Sequence, residues 1–173
     1  MIGPAPLYAL LRRLDIPFDY IEHPPLPTLD VASEVLRDRD VHLCKNLFFR
    51  NHKGNQHYLV ILSGDSSMDI HAIEHRLREG KLTFASERRL QRYLGVTPGS
   101  VTPFALIHDT EHHVRVFLDK NLLQSSHLSF HPCLNTASLT LPLDGFIRFM
   151  DHTGNAYEWI DLYPDDPQQT DSK

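Results

Sequence analysis

Cysteine is scarce in this chain of 173 residues: Cys44 and Cys133 are the only two, and they are not in C-x-x-C spacing. Two isolated thiols exclude a disulfide framework and predict reduced cysteines in a cytoplasmic protein. No apolar run reaches the roughly 20 residues that a membrane span needs. No basic leader precedes the first short apolar stretch, so a signal peptide is not expected.

The motifs of several enzyme classes are also missing. The chain has no G-x-S-x-G elbow, no G-x-G-x-x-G and no P-loop, which excludes serine hydrolases and nucleotide sites of those types. Among twelve histidines, His71 and His75 have the i, i+4 spacing of zinc ligands on a helix, but the segment reads H-A-I-E-H rather than H-E-x-x-H. We therefore expect surface histidines, no metal and no cofactor.

Charge is distributed unevenly along the chain. The net charge is -5, yet the segment 75–92 holds six lysines and arginines against two glutamates, which gives a local charge of +4. This segment predicts either a patch that binds nucleic acid or the solvated faces of helices. An acidic chain without a helix-turn-helix does not indicate sequence-specific DNA binding.

Hydrophobic periodicity and turn residues predict an α+β fold. The predicted helices cover 7–14, a stretch that Thr28 caps, 70–77 with Gly80 as its capping glycine, 86–94 between Ser86 and Gly95, and 143–152. The predicted strands cover 18–22, 42–50, 56–63, 82–85, 105–108, 114–118, 128–130, 137–141 and 157–161. Helices and strands are interspersed without a regular repeat, so we expect one domain around a mixed sheet.

Lys45 stands out within the predicted strand H-L-C-K-N-L-F-F. Period-two alternation places it on one face with Leu43, Leu47 and Phe49, which are all apolar. A lysine on such a face is costly unless its amine reaches water or meets an anion. Two interpretations remain open, a functional lysine and a lysine that snorkels from an edge strand.

Two loops could carry binding groups, although each could be a simple connection. The segment 95–104 contains two glycines and two prolines, and Gly99 permits a close approach of the backbone to an oxyanion or a ribose. His131 and Asn135 lie in a loop between two predicted strands, which is a common position for binding residues.

Taken together, four segments resemble a known family. They are K-N-L-F-F from Lys45, F-A-S from Phe84, L-G-V-T-P-G-S-V-T-P-F-A-L from Leu94, and F-H-P-C-L-N-T-A from Phe130. In order and spacing they are similar to the free-standing bacterial relatives of the prolyl-tRNA synthetase editing domain. That group includes the YbaK-like deacylases and the alanyl-tRNA(Pro) deacylases, and the chain looks closer to the latter.

The resemblance implies a single-domain α+β fold with a mixed, mostly antiparallel, barrel-like sheet flanked by helices. It covers residues 1–162, and the polar segment 163–173 is expected to be a disordered tail. The implied catalytic residues are Lys45, Asn46 and His131. The implied substrate-binding residues are Phe49, Gly99, Ser100, Val101, Thr102, Pro103, Phe104, Phe130 and Asn135. From the charge pattern we add Arg88, Arg89 and Arg92 as the tRNA-binding residues.

One position departs from the family pattern. In the editing domains embedded in synthetases the second loop ends G-x-x-x-P-H, whereas here Phe104 follows Pro103. No histidine role can therefore be transferred to that position.

The resemblance implies hydrolysis of mischarged tRNA(Pro) in trans, with a transient encounter with prolyl-tRNA synthetase. A synthetase pocket that admits proline also admits alanine, because the missing methylenes cost only about 1–3 kcal/mol each. A second, smaller pocket could accept alanine and exclude proline. Two alternatives remain: deacylation of another mischarged tRNA, carrying cysteine or serine, and a non-catalytic nucleic-acid-binding or regulatory module.

Overall fold

The computed structural model describes residues 1–25, 41–64 and 69–162. The helices in these ranges are α1 (Ala5–Arg13), α2 (Ile70–Leu77), α3 (Glu87–Leu94) and α4 (Leu143–Thr153), with 3₁₀ helices at Pro103–His108 and Lys120–Gln124. The strands are β1 (Asp19–Glu22), β2 (His42–Asn51), β3 (His57–Ser63), β4 (Leu82–Phe84), β5 (Val114–Asp119), β6 (His127–Phe130), β7 (Ala137–Pro142) and β8 (Tyr157–Ile160). None of the described helices is long and apolar enough to cross a bilayer.

The eight described strands form one mixed sheet in the order β1-β7-β6-β2-β3-β5-β8, and β4 pairs with β2. Four pairings are antiparallel: β1 with β7, β2 with β3, β2 with β4, and β6 with β7. The three parallel pairings join β2 to β6, β3 to β5, and β5 to β8. The predicted α+β class and its mixed, mostly antiparallel sheet are confirmed.

Two hydrophobic clusters lie on opposite faces of the sheet. Cys44 and Phe48 of β2 belong to the larger cluster, into which α1, α3 and α4 also pack their apolar faces. Phe49 belongs to the smaller cluster, which α2 covers with Ile73 and Leu77. Since successive strand residues point to opposite faces, the neighbours Phe48 and Phe49 lie in different clusters.

Helix α3 begins and ends where the sequence indicates. The side chain of Ser86 accepts a hydrogen bond from the backbone N–H of Arg89 at 3.3 Å, which satisfies one of the unpaired donors of the first turn. Gly95 ends the helix with a φ of 64°, a conformation that costs glycine little.

The strand predicted over 105–108 is wrong: these residues belong to a 3₁₀ helix. Thr102 caps it, because its hydroxyl accepts from the N–H of Phe104 and its carbonyl accepts from the N–H of Ala105. Pro103 fixes φ at the first helical position, which favours this turn. An apolar run of four residues does not by itself distinguish a strand from a buried helix segment.

The capping residue predicted for α2 is also wrong. The helix ends at Leu77, and Arg78 rather than Gly80 takes the left-handed conformation there, with a φ of 57°. The helix predicted after Thr28 and the tail predicted over 163–173 lie outside the described residues.

Candidate active site

The strand ladders leave a gap on one edge of β2. One edge is occupied by β3 along most of the strand, and the other pairs with β6 at residues 42–43 and with β4 at residues 49–51. Lys45 and Asn46 lie between those two ladders. Strand β6, which borders one end of the gap, runs parallel to β2 and is followed directly by His131. Lys45 and Asn46 therefore lie at the gap, and His131 lies directly after the strand that borders it.

Lys45 and Asn46 point to opposite faces of β2. Lys45 pairs with Leu62 across the ladder and shares its face with Phe49, as the alternation of the sequence predicts. Asn46 shares its face with Phe48, and its Oδ1 atom is buried without a hydrogen-bond partner among the described residues. A buried acceptor left unsatisfied costs about 1–3 kcal/mol, which a donor on a ligand would relieve.

The glycine of the segment 95–104 lies against the loop that follows β6. Gly99 has a φ of 86°, and a Cβ built on it would lie 3.9 Å from Nδ2 of Asn135. The N–H of Ser100 donates to the carbonyl of Thr97 at 3.1 Å, so that donor already closes the turn. The two loops that the sequence indicates separately are therefore neighbours in the fold.

His131 is held as a neutral imidazole with one defined tautomer. Its Nδ1 lies 2.9 Å from the carbonyl oxygen of Ala137, which can only accept, so Nδ1 carries the proton and Nε2 carries a lone pair. Burial lowers the pKa of His131, and the nearby His23 lowers it further, although the bond to Ala137 acts in the opposite direction. At neutral pH His131 is therefore able to accept a proton at Nε2.

His23 is the neighbour of His131 that the sequence analysis missed. The two rings lie 6.0 Å apart, centroid to centroid, and His23 is itself buried. Its Nδ1 bonds to the carbonyl of Pro24 and its Nε2 to the hydroxyl of Ser138, each at 2.8 Å. Its place before two prolines is visible in the sequence, but that place does not indicate that His23 lies beside His131.

The three phenylalanines predicted to line the substrate pocket belong to different clusters. Phe104 and Phe130 are buried in the larger cluster and meet edge to face, with their centroids 5.7 Å apart. Phe49 is fully buried in the smaller cluster and contacts Phe84 at 4.6 Å. Phe104 and Phe130 therefore support the segment 95–104 from the interior, whereas Phe49 packs on the Lys45 face of the sheet.

The three predicted tRNA-binding arginines line one cavity, which we call the arginine pocket. It has a volume of about 380 Å³ and is lined by Gly54, Ser86, Arg88, Arg89, Arg92 and Tyr93. Arg88 and Arg92 are exposed, and the guanidinium of Arg92 lies 5.1 Å from the ring centroid of Tyr93. No carboxylate is among these lining residues, so the pocket is suited to an anion.

Arg89 is held in the arginine pocket by a chain of hydrogen bonds. Its Nη1 donates to the carbonyl of Gly54 and to Nε2 of His57, both at 2.9 Å. Because Nε2 of His57 accepts, its Nδ1 carries the proton and donates to Nε2 of His113 at 2.8 Å. Burial, the nearby His113 and the nearby arginines together lower the pKa of His57 to about 4, so His57 is neutral at physiological pH.

Groups that could act as protein nucleophiles are poorly activated. Burial raises the pKa of Cys133 to about 12 and raises that of Cys44 as well, so neither thiol ionises readily. Ser63 does bond to Nε2 of His42 at 2.7 Å, but its side chain is buried beside Asp119, which accepts its backbone N–H. Within residues 1–25, 41–64 and 69–162, no cluster of histidine, cysteine and acidic residues could hold a metal.

Comparison with known proteins identifies the class. The family model of the aminoacyl-tRNA editing domain matches residues 23–149, which span the gap in β2, the segment 95–104 and the loop after β6. The chain belongs to the aminoacyl-tRNA editing domain family and is an aminoacyl-tRNA deacylase of the hydrolase class. Its substrate is therefore a tRNA ester.

Particular relatives share most of their length with this chain. The prolyl-tRNA editing protein ProX of Acetoanaerobium sticklandii is 36% identical over 154 residues, which cover 89% of this chain and 94% of that protein. Prolyl-tRNA synthetase associated domain-containing protein 1 of Danio rerio is 32% identical over 149 residues, which cover 85% and 80%. A crystal structure described as that of a candidate trans-editing enzyme for prolyl-tRNA synthetase has the same fold, with a TM-score of 0.64 at 21% identity and coverage of 83% and 86%.

Proposed function

We propose that this protein hydrolyses alanyl-tRNA(Pro) in trans and leaves prolyl-tRNA(Pro) intact. The observation that supports the proposal is the gap in β2 at Lys45 and Asn46, in a chain that is similar to ProX over nearly its whole length. Two reduced cysteines fit a cytoplasmic setting for this reaction. The RNA partner is tRNA(Pro), and prolyl-tRNA synthetase is a transient protein partner.

The reaction needs a water molecule and a proton acceptor rather than a protein nucleophile. Water attacks the ester carbonyl, and His131 accepts its proton at Nε2. The tetrahedral oxyanion then collapses, the bond to the ribose oxygen breaks, and His131 returns the proton to that oxygen. The products are the free amino acid and uncharged tRNA.

Backbone donors of the segment 95–104 stabilise the oxyanion. The N–H of Ser100 already closes a turn with Thr97, so the role falls to the N–H groups of Gly99 and Val101. A positioned donor of this kind contributes about 3–4 kcal/mol to the stability of the transition state. Asn135, beside Gly99, orients the substrate end.

Lys45 and Asn46 position the substrate from the two faces of β2. The ammonium group of Lys45 acts as a point charge that holds the terminal phosphate or the aminoacyl end of the substrate. The buried Oδ1 of Asn46 accepts a hydrogen bond from a ribose hydroxyl or from the ammonium group of the amino acid.

A rigid pocket wall separates alanine from proline. Val101 is the partly exposed apolar residue of the segment 95–104 and packs against the larger cluster. Phe104 and Phe130 lie fully buried in the same cluster. Because a close-packed wall resists insertion of further methylenes at a cost of about 1–3 kcal/mol, the proline ring is excluded and the methyl of alanine is accepted.

One deacylation assay tests both the activity and the specificity. The purified protein is mixed separately with alanyl-, seryl-, cysteinyl- and prolyl-tRNA(Pro), and release of the amino acid is followed against a protein-free blank. We expect rapid hydrolysis of the alanyl ester, slower hydrolysis of the seryl ester and almost none of the prolyl ester. Equal rates for the alanyl and prolyl esters would refute the steric wall, and a preference for the cysteinyl ester would transfer the proposal to that substrate.

A further inference from the structure

Phe84 is the exposed aromatic side chain of the described part of the chain. Four large apolar side chains there are exposed, and Phe84, at 57%, is the only aromatic one among them. Aromatic rings are normally withdrawn from water, so an exposed ring in an ordered strand calls for an explanation. Its orientation is fixed, because it rests against the buried ring of Phe49 with the centroids 4.6 Å apart.

The position of Phe84 relates it to the active site. It pairs with Phe49 across the β2–β4 ladder, so the two side chains lie on one face of the sheet, which is also the face of Lys45. Phe49 lies four positions after Lys45 in β2, a distance of about 13 Å along an extended strand. The ring is therefore too far to take part in the chemistry at Lys45 but near enough to contact the same bound molecule.

Phe84 is also close in sequence to the arginine pocket. The chain runs from Phe84 through Ala85 to Ser86, which lines the pocket and caps α3. An exposed aromatic ring and a set of arginines are the groups with which proteins bind unpaired nucleic acid, since bases stack on the ring and phosphates meet the guanidinium groups. The net charge of -5 of the whole chain makes this basic site a local feature.

The arginine pocket is organised before any ligand arrives. Arg89 is fixed by Gly54 and by the buried His57, so its guanidinium group does not have to be ordered on binding. A Cβ built on Gly54 would lie 2.8 Å from Nη2 of Arg89, and its φ is 73°, so the turn of the β2–β3 hairpin accepts only glycine there without strain.

We propose that Phe84 stacks on a base of the unpaired 3′ end of the tRNA while the arginine pocket holds a phosphate of the same RNA. This inference rests on the proposed function for the identity of the RNA. It adds a stacking residue, Phe84, and assigns the three predicted tRNA-binding arginines to one phosphate site.

Binding of uncharged RNA tests the proposal separately from hydrolysis. The probe is a fluorescein-labelled acceptor-stem hairpin with an unpaired 3′ tail, and the comparison probe is the same hairpin with a blunt end. Wild-type protein is expected to bind the tailed probe more tightly. Phe84→Ala should weaken that binding about 10-fold and leave blunt binding unchanged, because each stacked base contributes substantially to affinity, whereas Phe84→Trp should retain it.

Matched variants complete the experiment. Leu123→Ala removes another exposed apolar side chain, 43% exposed, and should not affect either probe. The double variant Arg88→Gln/Arg92→Gln should bind the tailed probe more weakly. The slope of its salt dependence should also be smaller, since binding with fewer phosphate contacts releases fewer counterions. In turnover, Phe84→Ala should raise KM for alanyl-tRNA with little change in kcat.

The results that would overturn the proposal are specific. If Phe84→Ala lowers the affinity for both probes equally, the ring does not contact the unpaired end. Unchanged affinity for the tailed probe would exclude stacking altogether. Thermal melting of Phe84→Ala confirms that any loss is measured on folded protein. Failure of the deacylation assay with intact tail binding would refute the proposed function and not this site.

Discussion

At the scale of single residues, Lys45 is the group whose removal should separate catalysis from folding. It is half-buried at the gap in β2 and lies on the face of the smaller cluster. Lys45→Ala should lower kcat/KM for alanyl-tRNA(Pro) by about 100-fold or more, comparable with the loss of one positioned charge stabiliser in other hydrolases. Steady-state deacylation together with circular dichroism of the variant measures both properties.

Two other variants serve as controls for this prediction. Lys53→Ala removes an exposed lysine from the turn between β2 and β3 and should be fully active. Ser63→Ala removes the hydroxyl that bonds to His42, and retained turnover would agree with attack by water. A folded Lys45→Ala protein with near-normal turnover would show that the lysine merely snorkels.

The residues that could be predicted from the sequence are those whose neighbours are local. Lys45 was recognisable because alternation along one strand defines its apolar face. His23 and His57 were not, since their partners, Ser138 and Arg89, are distant in sequence and only the folded sheet brings them together. Phe84 was recognisable only as part of a motif, because the sequence of a strand does not predict whether a ring on it is exposed.

At the scale of elements, the segment 95–104 and the turn after α2 offer a matched pair of glycines. Gly99 and Gly80 have φ values of 86° and 83°, and a Cβ at Gly80 would meet nothing within 4 Å. Each change to alanine should lower the free energy of unfolding by a similar amount, about 1–2 kcal/mol, since both force an L-residue into the left-handed region. Gly99→Ala should in addition lower kcat, because it displaces the proposed oxyanion donors.

Urea unfolding and single-turnover hydrolysis of both glycine variants measure the two effects. If Gly80→Ala lowers kcat as much as Gly99→Ala does, the loss reflects general destabilisation and the donor assignment fails. If neither variant alters kcat, the segment 95–104 does not stabilise charge.

Element boundaries followed the strength of the local signal. Ser86 and Gly95 defined α3 because a capping hydroxyl and a left-handed glycine act within one turn. The run from Ala105 to His108 was assigned wrongly, since its conformation depends on the hydroxyl of Thr102 and on burial against the larger cluster. Short apolar runs take their structure from tertiary context.

At the scale of the whole molecule, buried histidines make stability depend on pH. The pKa of His57 is about 4 in the folded protein, below its ordinary value of 6.5, so the unfolded chain binds more protons between those values. Stability should therefore fall as the pH drops from 6.5 to 4 and should not depend on His57 above that range. His57 accounts for up to about 3 kcal/mol of this loss, and the lowered pKa of His131 adds to it.

Urea unfolding at about pH 7 and about pH 4 measures that dependence. His57→Gln cannot titrate, so its loss of stability on acidification should be clearly smaller than that of the wild type. His52→Gln changes an exposed histidine of the β2–β3 turn and should retain the full dependence. If His57→Gln loses as much stability on acidification as the wild type does, His57 takes up its proton equally in the folded and the unfolded states. Other groups would then account for the loss of stability.

The overall topology could be predicted only in part. Interspersed helices and strands indicated the α+β class and a mixed sheet. The order of the strands could not be derived, because β1 lies beside β7 and β2 runs parallel to β6, and neither pairing leaves a local signal. The gap in β2 at Lys45 and Asn46 is a product of that order.

The pairing of β1 with β7 joins two strands that are made at very different times during synthesis of the chain. Asp19 pairs with Thr140, so the first strand emerges from the ribosome long before its partner exists. At about 5–20 residues per second, the 118 residues from Asp19 to Ala137 take roughly 6–24 s to be made. Until then the backbone groups of β1 that pair with β7 have no partner strand.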